Sequence, residues 1–97
     1  MITFNELLER AKSELIAIHT PTEEQAKTLL KALDKRGYEW FGGEEITITN
    51  YEDDKENTCY TFHDILDKKI MYSPLDWYQE EGYTIIEFTD IDFSEKN

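Results

Sequence analysis

The sequence predicts an α+β domain: two N-terminal helices packed on a mostly antiparallel sheet of about four to five strands. Three observations lead there. Apolar residues recur at helical spacing before Gly37 and alternate in strand fashion after it. The strand-like runs are short and separated by turn residues such as Gly42-Gly43. With 97 residues, 39% of them hydrophobic and 13% aromatic, the chain has material for one modest core and is read as a single domain, 1–97.

The elements follow in order. Thr3 and Glu6 stand as a Thr-x-x-Glu capping box, with Ile2 and Leu7 as its hydrophobic staple. Phe4, Leu7, Leu8, Ala11 and Leu15 then mark one face of a helix running from Phe4 to Glu14. Leu15–His19 is apolar and partly β-branched, and reads as a strand or as more of the helix. Thr20, Pro21 and Glu23 have the pattern of an N-cap, a first helical residue and a second capping box. Ala26, Leu29, Leu30 and Leu33 form the buried face of that helix, and Gly37 ends it. Tyr38–Phe41 is expected to pair with Glu44–Thr49 across Gly42-Gly43. Asn50–Asn57 reads as an acidic loop. Thr58–His63 reads as a strand with Tyr60 and Phe62 on one face, and Asp64–Lys68 as a turn. Lys69–Ser73 is a short strand, Pro74–Gly82 a helical turn, and Tyr83–Thr89 the clearest strand. The tail from Asp90 is expected to fray, with Ile91 and Phe93 still able to pack.

Charge divides the chain. It holds 22 acids and 10 bases, a formal net charge of −12. Residues 1–38 have six of each sign. Residues 39–97 have 16 acids and four bases, so the whole excess lies in the strand-rich half. Such a field repels nucleic acid and anionic membranes and attracts basic protein surfaces. One cysteine, Cys59, excludes an internal disulfide. Charges at Glu6, Glu9 and Arg10 interrupt anything like a signal peptide, and no apolar run approaches the roughly 18 residues of a membrane span. A cytoplasmic protein without direct nucleic-acid or membrane contact is the expectation.

No reactive constellation stands out. Cys59 and His63 share a strand face but lie about 13 Å apart along an extended chain, too far for a dyad. His19, Cys59 and His63 lack zinc-ligand spacing. The run Glu52-Asp53-Asp54-Lys55-Glu56 lacks the alternating ligands and central Gly of a calcium loop. No catalytic residue, metal or cofactor is therefore expected. The remaining signal is carboxylate itself. Glu44, Glu45, Glu52, Asp53, Asp54, Glu56, Asp76, Glu80 and Glu81, with Asp64 and Asp67, fall mostly in turns at strand ends, where they would project from a sheet rim. Trp77 and Tyr78 sit among them as candidate aromatic anchors. Trp40, Phe41 and Tyr51 also fall beside turns, Trp40 reading as core.

The stretch His19–Trp40, "HTPTEEQAKTLLKALDKRGYEW", resembles small proteins encoded by phages and prophages of Gram-positive bacteria. These carry a Pro-Thr-Glu-Glu helix start, a Lys-Gly-Tyr-x-Trp helix end (here Lys35-Arg36-Gly37-Tyr38-Glu39-Trp40) and a closing strand like "EEGYTIIEF". The likeness covers roughly a third of the chain and concerns structural punctuation. It implies an inhibitor of a host defence nuclease, of which anti-CRISPR proteins are one type. Joined to the charge, the reading is an acidic nucleic-acid mimic that blocks a basic nucleic-acid-handling protein. The alternatives are a homodimeric regulatory module and a small-ligand binder using an aromatic pocket near Trp77.

Overall fold

The computed structural model describes residues 1–44, 46 and 48–94. In chain order the elements are β1 (Ile2–Thr3), α1 (Phe4–Arg10), β2 (Ile16–His19), α2 (Glu23–Lys35), β3 (Glu39–Trp40), α3 (Tyr51–Asp54), β4 (Thr58–Asp64), β5 (Lys69–Pro74), α4 (Leu75–Glu80), β6 (Thr84–Glu87) and β7 (Ile91–Asp92). Two 3₁₀ turns lie at Lys55–Asn57 and Phe88–Asp90.

The α+β class holds, and two features of the expected architecture are corrected. The main sheet is mixed, in the order β3-β5-β4-β2-β6. β4 pairs antiparallel with both β2 and β5, while β2–β6 and β3–β5 are parallel. Strands β2, β3, β5 and β6 therefore share one direction and β4 alone opposes them. The cause is two helical crossovers. α2 carries the chain from β2 to β3 at one edge, and α4 carries it from β5 to β6 at the other. Parallel crossovers are almost always right-handed. Two that travel in opposite directions across one sheet share that hand only from opposite faces.

Opposite faces are what the core shows. α1 and α2 pack Phe4, Leu7, Ala26, Leu29, Leu30 and Leu33 against Ile16, Ile18, Tyr60, Ile70 and Ile86. α4 covers the reverse face, where Tyr78 packs with Ala17 and Cys59. The helices are thus not confined to one side. Each buried α2 leucine contributes roughly 1.5–3 kcal/mol relative to exposure.

Local chemistry explains the boundaries. The Thr3–Glu6 capping box forms in both directions. α1 nevertheless stops at Arg10, short of the expected Glu14. Lys12 N–H donates to Glu9 O and Ser13 N–H to Arg10 O, so the helix tightens into i→i+3 turns as the chain bends into β2. Leu15 is consequently 58% exposed rather than part of the α1 face. The N-cap of α2 is Thr22, whose hydroxyl accepts from Gln25 N–H at 3.2 Å, and not Thr20. Thr20 is fully buried, and both its N–H and its hydroxyl donate to Thr58 O. At the far end Gly37 takes φ +85°, with Gly37 N–H donating to Asp34 O and Tyr38 N–H to Leu33 O, a Schellman motif.

The hairpin expected across Gly42-Gly43 is replaced by a tight turn, since β3 pairs with β5. Trp40 N–H donates to Glu44 O and Gly43 N–H to Trp40 O. The expected strand Glu44–Thr49 is not formed by its described residues, and Glu45 and Thr47 lie outside them. The C-terminal segment does not fray as far as Phe93. β7 pairs in parallel with β1, and Phe93 packs on Phe4 and Phe88. Residues 95–97 of that tail lie outside the described residues.

Tyr78 supplies a test of the second face. It is fully buried, and its hydroxyl has no hydrogen-bond partner among the described residues. The neighbouring Ser73 hydroxyl donates instead to Tyr72 O. A Tyr78→Phe variant is expected to match or exceed the parent in urea unfolding, because an unsatisfied buried hydroxyl is removed. Tyr78→Ala is expected to lose about 3–5 kcal/mol. Equal losses in both variants would contradict this placement.

Candidate functional site

The strand directions set where charge gathers. At one end of the main sheet β2 and β6 finish at His19 and Glu87, β5 finishes at Pro74, and β4 begins at Thr58. The acidic segment Glu52–Glu56 leads directly into β4, and Asp76 follows β5. The sheet therefore delivers both to the same end. Asp53 and Asp76 lie close enough to Asp54 to act on its carboxyl. Burial first, then those two charges, push Asp54 up from its ordinary value.

Several bonds hold this rim. The Tyr72 hydroxyl donates to the Asp53 carboxylate across 19 residues of sequence. That bond, then burial and the charges of Asp53 and Asp54, push the Tyr72 phenol up to about 12. His19 sits between two acceptors: Nδ1 lies 2.8 Å from Glu87 Oε1, and Nε2 lies 2.7 Å from Glu56 O. The two contacts join the 3₁₀ turn to β6 through one imidazole ring. The segment is also bracketed by left-handed residues, Asn50 at φ 58° and Lys55 at φ 50°. Asparagine tolerates that region, whereas Lys55, with ψ −126°, is strained. Tyr51 donates to Pro21 O at 2.7 Å, and Tyr60 donates to Thr49 O, tying the approach to the core.

The structure sorts the sequence-derived candidates. Glu52, Asp53, Asp54, Glu56 and Asp76 share the rim. The Asn50–Asn57 stretch is not a plain loop, since it forms α3 and a 3₁₀ turn. Glu44 is exposed in the turn after β3, and Glu45 lies outside the described residues. Glu80 and Glu81 are exposed at the other end of α4, about 6–8 Å further along its axis than Asp76. Trp77 is 40% exposed and packs edge-on to Tyr78. Tyr78 is corrected from a surface anchor to a core residue, because α4 turns it onto the sheet. Asp64 and Asp67 lie at the opposite sheet end. There Asp64 Oδ1 accepts from Leu66 and Asp67 N–H, a structural turn. Trp40 is core at 8% exposure.

Sequence reasoning missed Tyr72 and the His19–Glu87 pair, whose partners are far apart in the chain. Cys59 is fully buried, and burial, then Glu87 and Asp54, push its thiol up to about 12. A thiol held so high is a poor nucleophile at neutral pH. Among the described residues no group of three or more His, Cys, Asp or Glu is arranged to hold a metal ion, and no helix is long and apolar enough to cross a membrane.

Two clefts adjoin the rim. One of about 630 Å³ lies between α2 and residues 46 and 48–53 and has both signs on its walls, Lys27 and Lys31 against Glu23, Asp34, Glu52 and Asp53. The other, of about 400 Å³, is lined by Trp40, Phe41, Glu44, Met71 and Tyr72, among others. Comparison with protein-family models, curated proteins and solved structures yields no match.

The raised Asp54 carboxyl has a definite consequence for stability. Its folded-state value lies above the unfolded one, so folding takes up protons here and stability falls as pH rises through the Asp54 titration. Asp54→Asn is therefore expected to raise the urea midpoint at neutral pH. The gain should vanish below about pH 3, where the carboxyl is protonated in both states. Lys55→Gly is expected to raise stability by about 1 kcal/mol at acid pH, where the neighbouring carboxylates are protonated and only the relieved backbone strain counts, and by less at neutral pH, where a cation is also lost from the rim.

Proposed function

We propose that this chain is a binding protein that inhibits a nucleic-acid-handling partner by occupying its basic groove with the acidic rim. One observation carries the reading. The fold places Glu52, Asp53, Asp54 and Asp76 together at one sheet end, near enough that Asp53 and Asp76 act on Asp54. Crowding like charges opposes folding. A rim maintained against that cost is well suited to meet lysines and arginines that otherwise bind phosphates. Helices pack on both sheet faces, while Glu52, Asp53, Glu56 and Asp76 stay exposed at the sheet end, where a partner can meet them. The buried thiol of Cys59 adds nothing that favours covalent chemistry. The resemblance of His19–Trp40 to phage-encoded proteins suggests a host defence nuclease, CRISPR-associated or otherwise, as the partner class.

The test is competition. A candidate nuclease captured from a bacterial lysate should release labelled nucleic acid when the chain is added. Affinity is expected to fall steeply between low salt and ~0.5 M, where the screening length shrinks to a few ångströms. The double variant Asp54→Asn/Asp76→Asn should bind about tenfold more weakly while folding at least as well as the parent. Salt-independent capture, or displacement by the double variant at parental strength, would overturn the proposal.

A further inference from the structure

The smaller cleft has features of a specific receptor. β3 pairs with β5 only at Glu39↔Lys69 and Trp40↔Ile70. Beyond that point β5 continues to Pro74, and β3 gives way to the Gly42-Gly43 turn. The gap so formed is lined by Trp40, Phe41, Gly42, Glu44, Ile48, Asn50, Ile70, Met71 and Tyr72, a set that includes three aromatics, one carboxylate and no Lys or Arg. Trp40 and Tyr72 stand edge-to-face with centroids 5.6 Å apart. Phe41 is 56% exposed, and its ring rests on His63 at 4.0 Å. Such an exposed aromatic beside a polar turn has no role in the core.

One carboxylate lines this space and a second bonds to one of its rings. Glu44 folds back over the turn: a Cβ at Gly42 would lie 2.1 Å from Glu44 Oε1, so glycine there makes room for the carboxylate. Asp53 accepts the Tyr72 hydroxyl and so adds negative charge at the outer end of that ring. Aromatic faces are electron-rich and attract cations lying within about 6 Å of the ring centroid. Arginine suits such a place better than lysine, because its guanidinium is planar, stacks on rings and pairs with a carboxylate through two N–H groups.

We infer that this aromatic slot receives a single arginine side chain from the basic partner, stacked on Phe41 and Tyr72 with Trp40 as the floor beneath, and paired with Glu44. The inference rests on the proposed acidic-rim function and assigns it an anchor. Tyr72 joins the two, since its ring lines the slot and its hydroxyl binds the rim through Asp53.

The experiment uses the full chain and two peptides of equal charge, nona-arginine and nona-lysine, at low salt. Binding is followed by heteronuclear NMR, in which the Trp40 indole N–H reports the slot. Nona-arginine should shift the Trp40 signal and bind more tightly than nona-lysine. Phe41→Ala and Glu44→Gln should each weaken nona-arginine by about fivefold to tenfold and abolish the preference over lysine. Gly42→Ala should act in the same direction, because its methyl group displaces only the flexible Glu44 carboxylate. Should Phe41→Ala fail to fold, Glu44→Gln decides, since it removes a charge from an exposed turn. Equal binding of both peptides, with slot variants unchanged and Asp54→Asn/Asp76→Asn weakened, would overturn the slot and leave the acidic rim standing. Weakening by slot variants alone would support the slot and remove the rim as a contributor. Absence of nona-arginine binding to the parent would overturn both.

Discussion

Burial of β2 on both faces is the constraint on which the rest of the structure depends. Ile16, Ala17 and Ile18 are each at most 1% exposed. Ile16 and Ile18 face α1 and α2, while Ala17 faces α4. Only a small residue fits at Ala17 beneath the Tyr78 ring, and only large ones fill the opposite side. A shift of one residue would exchange these faces, so the alternation pins the register of β4 and β6 on either side. His19, at the end of the strand, then meets Glu87 on one neighbour and the Glu56 carbonyl beyond the other.

Helices pack on both faces, and a chain carrying −12 gathers much of its charge at the ends of the sheet. The two ends differ. At the β4–β5 turn, Lys68 donates to Arg36 O and Lys69 pairs with Glu39, so cations mingle with Asp64 and Asp67. At the other end the carboxylates of α3 and Asp76 gather, with Lys55 beside them in sequence, His19 in contact with the Glu56 carbonyl, and Lys27 and Lys31 across the adjoining cleft. Strand direction creates this difference. The acidic residues precede β4 and follow β5, and those are the two points that an antiparallel pair brings together.

Much of this was legible in the chain, and the misses have physical causes. The capping box at Thr3, the buried stripe of α2 and the Gly37 stop are local devices, set within one helical turn, and they were read correctly. The shift of the second N-cap to Thr22 was not legible, because Thr20 is an equally good cap until Thr58 in β4 claims it. The acidic segment was visible as a rim candidate. Its union with Asp76, and the Tyr72–Asp53 bond beneath it, depended on strand order. Tyr78 was misplaced because a six-residue helix has too little periodicity to show which face it buries.

The sequence by itself determined the secondary elements with strong local chemistry, the α+β class, the segregation of charge and the absence of a recognisable catalytic motif. Those properties depend on residue type and short-range spacing. Only the tertiary structure decided that the sheet is mixed, that α4 covers the second face, that Tyr78 is core and that Glu44, Phe41 and Tyr72 share one cleft. The reason is that crossover connections, not pairwise propensities, choose which strands become neighbours. Handedness fixes a helix to a face only once the order of strands is known.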